Sequence, residues 1–496
     1  MSPSSFISIN NGSIGYSNHL VATSLNLEIK KGQHWALVGA SGSGKTSLLQ
    51  IIAGNLQLKK GEIIRHFAQA EDGTITDFHP LIAFVASKHH FRNLSNTSDF
   101  YYQQRYNSSD SDDALTVSHY LESVGNKPAA AHHWDLDKTL SLLKLGPLAD
   151  KQLIKLSNGE TKRLMIAAAL LKNPLLLLLD NPLAGLDTQT RADFNHIVSQ
   201  IAATGITIII ATGPHEIPDA ITHIGILQSG TLTAFTKETY YPAAVSANEK
   251  PLSGPELSPL LDRYPAPAYQ SIVRMRNVNI RYGDKIILNS INWQISQGQR
   301  WALLGHNGAG KSTLLSLING DNPQAYANDI TLFDKKRGSG ESIWDIKRKT
   351  GFISPELYQY FPADSSCLQT IESGYYDTMG LFRPSDKAKA DRALHWMRVL
   401  EIDQYARQLL KNIPASAQRL CLLARAMIKC PALLILDEPS QGMDEQQIAH
   451  FKALVDTICN QTNITLIYVT HYAQHIPDSV QQVLRLSEGR ISPSAP

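Results

Sequence analysis

The segment Trp35-Ala-Leu-Val-Gly39-Ala-Ser-Gly42-Ser-Gly44-Lys45-Thr46 returns 266 residues later as Trp301-Ala-Leu-Leu-Gly305-His-Asn307-Gly308-Ala-Gly310-Lys311-Ser312. Tyr16 and Tyr282 keep the same offset, each 29 residues ahead of its lysine. Further on, Leu175-Leu-Leu-Leu-Leu-Asp180-Asn181-Pro182 returns as Leu433-Leu-Ile-Leu-Asp437-Glu438-Pro439, now 257 residues on, so the middle of the first copy is the longer. A chain of 496 residues has room for two to four domains, and the repeat fills most of it with two copies of one domain.

The copies are read as residues 1–238 and 269–496. They are joined by a linker over 239–268 that carries Pro242, Pro251, Pro255, Pro259, Pro265 and Pro267 and little periodicity. In each copy an apolar strand, a Gly-rich turn, an apolar helix start and a later strand ending in Asp outline an α/β nucleotide-binding core. Partly helical stretches at 88–163 and 356–420 interrupt these cores and predict an inserted helical subdomain in each. The polar run Asn107-Ser-Ser-Asp-Ser-Asp-Asp113 reads as a solvated loop.

Charge narrows the partners: 46 Lys+Arg against 44 Asp+Glu leave +2, too balanced for a protein gripping many phosphates along a nucleic acid. Cys367, Cys421, Cys430 and Cys459 show no CxxC spacing, which argues against a disulfide framework or a zinc ribbon and fits a reducing compartment. No run reaches the roughly 18 apolar residues of a membrane span, and the first residues lack a leader pattern. The expectation is a soluble, cytoplasmic protein.

Both Gly-x-x-x-x-Gly-Lys-[Ser/Thr] motifs follow an apolar strand and open a leucine-rich helix, the context that turns a pattern into evidence for a phosphate loop. Glycines at 39, 42, 44, 305, 308 and 310 let successive backbone N–H groups turn inward on phosphates, and the helix N-terminus adds a positive dipole end. Lys45 and Lys311 are read as reaching the β- and γ-phosphates of ATP. Thr46 and Ser312 are read as Mg²⁺ ligands, with Ser47, Asn307 and Thr313 in the same binding set. Asp180 and Asp437 supply the carboxylates of the Mg²⁺ sites. An Asp after a strand is often only a loop starter, but the following Pro182 and Pro439, with Asp187 and Asp444 seven residues on, favour the functional reading.

Leu156-Ser157-Asn158-Gly159-Glu160, opening a helix ahead of the first Asp-bearing strand, resembles the signature of the ATP-binding cassette (ABC) family, and the resemblance covers nearly all of both halves. It implies two tandem P-loop NTPase domains, each with a RecA-like core and a helical insert, that pair head to tail within the chain. Each ATP is then held by one phosphate loop and the other copy's signature, with Ser157, Asn158, Gly159 and Glu160 acting in trans; Ser157 also suits a cap of its own helix. Tyr16 and Tyr282 resemble the family's adenine-stacking aromatic, the alternative being a packed β residue.

The departures from the family pattern are asymmetric. Asn181 stands where the family has the Glu that activates the attacking water, and aligning the Ile-Pro-Asp triplets at 217–219 and 476–478 sets Thr212 opposite His471, the family's switch histidine. Copy two keeps Glu438 and His471, read as catalytic with Lys311, but its signature is Ile413-Pro414-Ala415-Ser416-Ala417. Head-to-tail pairing gathers every damaged element into one composite site, which predicts one hydrolytic site and one that chiefly binds ATP; general decay would have struck both. After the strands at 83–85 and 351–353, Ser87 and Pro355 stand where the family carries a Gln that signals to a membrane partner.

More narrowly, Tyr326-Ala-Asn-Asp-Ile-Thr-Leu-Phe-Asp-Lys-Lys-Arg-Gly-Ser-Gly340-Glu-Ser-Ile-Trp-Asp-Ile-Lys347 and Gly374-Tyr-Tyr-Asp-Thr-Met-Gly380 resemble the ModF-type tandem proteins associated with molybdate transport. That resemblance implies an ATPase docked on permease subunits at the cytoplasmic face of the inner membrane. A ribosome-directed tandem ATPase is the alternative, though its long basic linker and two intact signatures are missing here; an ATP-driven regulatory switch is another.

Overall fold

The computed structural model describes residues 4–16, 19–69, 76–87, 115–125, 133–153, 156–183, 186, 188–241, 254–261 and 268–492. The chain falls into two compact units, carried by the described residues up to 241 and from 254 onward.

In the first unit a six-stranded sheet runs in the order Ile82–Val85, Leu176–Asp180, Thr207–Ala211, Trp35–Val38, His223–Gln228, Thr231–Thr236; all neighbours are parallel except the last pair. The uninterrupted apolar runs at 176–179 and 208–210 are buried on both faces, as central parallel strands require. Alternation divides them: Leu177, Leu179, Ile208 and Ile210 pack toward the insert helices, whereas Leu176, Leu178 and Ile209 pack toward the helix Lys45–Ala53 and an antiparallel sheet. That sheet orders His19–Lys30, Ser5–Tyr16 and Lys60–Arg65. The insert's described helices are Val117–Gly125, Leu136–Leu142 and Asn158–Leu170.

The second unit repeats the plan. Its six strands run Thr350–Ile353, Leu433–Asp437, Thr465–Val469, Arg300–Leu304, Gln482–Ser487, Arg490–Ser492, beside a four-stranded sheet of Lys285–Ile295, Val273–Tyr282, Asp329–Leu332 and Lys335–Lys336. Its insert holds Pro355–Tyr360, Cys367–Glu372, Lys387–Val399 and Ala415–Met427. In both units the strand feeding the phosphate loop is interior to the sheet, so the loop sits at the carboxyl edge where open α/β sheets bind ligands. This is the α/β class the repeat implied. Among the described residues, no helix is long and apolar enough to cross a membrane.

The expected linker needs correction in part. Gly254–Leu261 is a helix, and its Leu257, Leu260 and Leu261 are buried in the second unit's core, where Arg392 Nη2 donates to the Leu260 carbonyl at 2.6 Å. The spacing of those leucines is a helical stripe, and Pro255 stands in the first turn, where a missing N–H costs nothing. The polar run 107–113 and most linker prolines lie outside the described residues.

Candidate nucleotide sites

Each phosphate loop is dictated by what glycine alone permits. Gly44 (φ 101°) and Gly310 (φ 104°) adopt the left-handed conformation immediately ahead of the helices Lys45–Ala53 and Lys311–Asn319. At Gly39 a Cβ would lie 2.2 Å from the Leu227 carbonyl oxygen, and at Gly305 2.4 Å from that of Leu486, because the neighbouring strand passes so close. The lysine folds back over the loop: Lys45 Nζ donates to the carbonyls of Gly39 (2.7 Å) and Ala40 (2.8 Å), and Lys311 Nζ to those of Gly305 (2.7 Å) and His306 (3.1 Å). Gly42, Gly308 and Asn307 lie within the loops, and Ser47 and Thr313 in the first helical turns.

Thr46 Oγ1 donates to Asp180 Oδ1 at 3.0 Å, so the two groups expected to share a cation already meet. Asp180 and Asp437 are both buried at their strand ends. Among the described residues no group of three or more His, Cys, Asp or Glu could cage a metal by itself. A hydroxyl and a carboxylate suit Mg²⁺, which prefers few protein oxygens plus phosphates and water.

Asn181 and Glu438 are the same backbone position in two units. Both have φ 46°, a left-handed value uncommon for a side-chain-bearing residue, and their N–H groups donate to Ala211 (2.9 Å) and Val469 (3.0 Å) respectively. Glu438 Oε1 lies 2.7 Å from His471 Nε2, both nearly buried, though not along a hydrogen-bond line.

Sheet register corrects one sequence alignment. Asp180 pairs with Ala211 and Asp437 with Val469, which sets Thr212 opposite Thr470 and Gly213 opposite His471. The loop after the strand is one residue longer in the second unit, so anchoring on the Ile-Pro-Asp triplets slipped by one. Either way the matching position in the first unit lacks an imidazole, His215 standing two residues past Gly213. A Cβ on Gly213 would lie 3.5 Å from Glu216 Oε2, and that carboxylate is ion-paired with Arg191, which also donates to the carbonyls of Leu186 and Leu183 (3.1 Å each). Asp444 caps the helix Glu445–Gln461, receiving the Gln447 N–H at 2.9 Å; Asp187 lies outside the described residues.

The signature helix Asn158–Leu170 opens with a capping box: Ser157 Oγ accepts from the Glu160 N–H (3.3 Å) and Glu160 Oε2 from the Ser157 N–H (2.7 Å). Lys151 Nζ, unmarked by any motif, reaches the same carboxylate oxygen at 2.7 Å. Burial alone would raise the Glu160 pKa, but the Lys151 ammonium and the Ser157 donors outweigh it and hold the carboxyl below its ordinary value. Gly159 is buried beside the cap. In the second unit Pro414 takes the cap position of Ala415–Met427 with no side-chain bond.

Tyr282 ends its strand 39 % exposed, its hydroxyl receiving Asn322 Nδ2 at 3.0 Å. Tyr16 ends the matching strand; its side chain, like that of Asn158, lies outside the described residues.

Comparison with known proteins matches the family model described as ABC transporter to residues 22–184 and 288–441, once in each unit. The ABC transporter ATP-binding protein ModF of Escherichia coli (strain K12) is 32% identical over 460 residues, 91% of this chain and 90% of that protein. An uncharacterized ABC transporter ATP-binding protein of Schizosaccharomyces pombe (strain 972 / ATCC 24843) is 29% identical over 476 residues, 94% of this chain and 95% of its own length. The uncharacterized ABC transporter ATP-binding protein YlmA of Bacillus subtilis (strain 168) is 32% identical over 229 residues, 44% of this chain and 83% of that protein.

Proposed function

The chain belongs to the ABC transporter family, and from that premise we propose that it is a tandem ATPase in which only one of two composite sites hydrolyses ATP. It binds ATP and cleaves it to ADP and phosphate. The hydrolytic site is built on Lys311, Ser312, Asp437, Glu438 and His471 and completed by Ser157 and Gly159 of the other copy's signature. The second, built on Lys45, Thr46, Asp180 and Asn181, faces the Pro414 segment and retains its nucleotide. Asn307, Thr313, Ser47 and the loop glycines complete the phosphate contacts, and Tyr16 and Tyr282 stack on adenine.

One observation carries this reading: Asn181 and Glu438 share φ 46° and the same backbone hydrogen bond, so the amide stands where the carboxylate would act. In hydrolysis a water attacks the γ-phosphorus as the bond to the β,γ-bridging oxygen breaks. Glu438 orients that water and accepts its proton, which the Asn181 amide cannot do at neutral pH. Loss of such a base costs on the order of 10² to 10⁴ in rate. Lys311 and the loop N–H groups offset the charge growing on the leaving oxygens. Thr46 with Asp180, and Ser312 with Asp437, would hold Mg²⁺, which would add positive charge against the phosphates when bound.

ATPase rates of Asp437→Asn beside Asp180→Asn test the assignment. The first substitution is expected to abolish most turnover and the second to leave appreciable turnover; equal losses would refute the asymmetry. We further propose that the chain, like the ABC transporter ATP-binding protein ModF it resembles, drives a transporter whose permease subunits are separate chains, with a molybdate-type oxyanion as the cargo that the sequence resemblance implies. Ser87 and Pro355 favour, as a second reading, a switch that works without a permease. Crosslinked co-purification from the host separates the two: permease subunits support the first and their absence the second.

A further inference from the structure

The two signature helices each carry a buried cation at the same register. Offset by the same 257 residues that relate Asp180 to Asp437, Lys162 corresponds to Arg419. Lys162 is 6 % exposed, and its Nζ donates to the Ser87 carbonyl at 2.7 Å, in the segment that follows the strand Ile82–Val85. Burial pulls its pKa down to about 8 while Asp180 opposes the shift. Arg419 is 1 % exposed, and its guanidinium lies 3.8 Å over the ring of Tyr358, in the segment that follows the strand Thr350–Ile353. Each cation therefore ties its signature helix to the post-strand segment, with Asp180 facing Lys162 and Glu438 facing Arg419.

In the second unit the grip reaches the catalytic turn. Arg419 Nη2 donates to the Gln441 carbonyl (3.3 Å) and lies 3.4 Å from Gln441 Oε1. The Gln441 N–H in turn donates to the Glu438 carbonyl at 3.2 Å, closing a tight turn on the residue held at φ 46°. Such backbone persists only where its surroundings over-determine it. Burial lowers the Arg419 pKa, but Tyr358, Glu438 and Glu356 act to keep the charge. Arg419 Nε and Nη1 are buried with no hydrogen-bond partner among the described residues.

We propose that Arg419 is a positioning residue for hydrolysis: through Gln441 it holds the left-handed turn that presents Glu438, and through Tyr358 it ties that turn to the segment Pro355–Tyr360. Lys162 occupies the corresponding place in the first unit. The proposal rests on the reading of Glu438 as the hydrolytic base.

The test uses the full chain and measures kcat, KM for ATP and bound ATP per chain in Arg419→Gln and Arg419→Lys, with Glu438→Gln as reference. Arg419→Gln is expected to lower kcat per bound ATP roughly 10²-fold, as a misplacement of about an ångström does, while KM stays within about threefold. Arg419→Lys should recover about tenfold of that loss, because it keeps the charge but not the planar fork. Should Arg419→Gln not fold, Tyr358→Leu, which removes only the ring beneath the guanidinium, is expected to lower kcat about tenfold at unchanged KM. An unchanged kcat in the folded variant, with Glu438→Gln inactive, overturns the positioning role alone. A Glu438→Gln chain that still turns over removes the base reading, and this proposal with it.

Discussion

Replacing Glu438 by either of two amides separates chemistry from backbone strain. Glu438→Gln and Glu438→Asn both remove the carboxylate, but they differ in how readily they accept φ 46°. A left-handed conformation costs an ordinary L-residue about 1–2 kcal/mol, whereas Asn enters it routinely. The asparagine variant is therefore expected to be the more stable by about 1 kcal/mol, even though Gln is closer in shape to Glu. For a unit of this size that corresponds to a melting temperature about 2–4 °C higher. Neither variant is expected to turn over ATP at more than a small fraction of the parent rate. The reverse experiment sits in the same chain: Asn181→Gln, at the same φ, should lower the first unit's melting temperature by a similar amount. Scanning calorimetry on the three variants, with ATPase rates alongside, gives both numbers. If the Glu438→Asn chain melts at or below the Glu438→Gln chain, the left-handed turn does not constrain this position, and the structural equivalence of the two positions loses its energetic basis.

Other expectations follow from the same residues. Lys45→Ala should weaken nucleotide binding to the first unit while leaving appreciable hydrolysis; complete loss of turnover would make that site catalytically necessary. Ser157→Ala removes the acceptor for the Glu160 N–H, so a urea titration should show about 1 kcal/mol less stability in the first unit, together with slower turnover. An unchanged rate would detach Ser157 from the hydrolytic site. Burial pulls the Lys429 ammonium down to about 8, with its partly buried partner Asp377 opposing, against an ordinary value of 10.5. Between those limits the unfolded chain binds the extra proton, so stability should rise with pH by up to about 1.4 kcal/mol per pH unit. Lys429→Met should flatten that rise in the urea midpoint, and a parent midpoint that does not rise between pH 8 and about 9.5 would contradict it.

What could be read in the sequence was whatever lies close along the chain. The phosphate loops, the strand-end acids and the signature are local patterns whose backbone demands fall on glycine and serine, and the Asn181/Glu438 difference needed only the repeat. The switch-histidine alignment slipped because the nearest landmark, Ile-Pro-Asp, lies beyond a loop of unequal length, and only the pairing of Asp437 with Val469 fixed it. The helix Gly254–Leu261 hid behind its prolines, although Leu257, Leu260 and Leu261 already showed helical spacing. Asp444, seven residues past its strand Asp, proved to be a helix cap. Lys151 and Arg419 carry no motif: their roles arise from contacts 9 and 22 residues away that folding alone creates.

The central claim is that one chain holds two ATP molecules and cleaves one. A rapid-quench single-turnover experiment, on chains pre-loaded with labelled ATP and then started with Mg²⁺, counts ADP and retained ATP per chain. One equivalent of ADP formed quickly, beside one equivalent of ATP that persists, is the predicted result. Two equivalents of ADP appearing at one rate would contradict it.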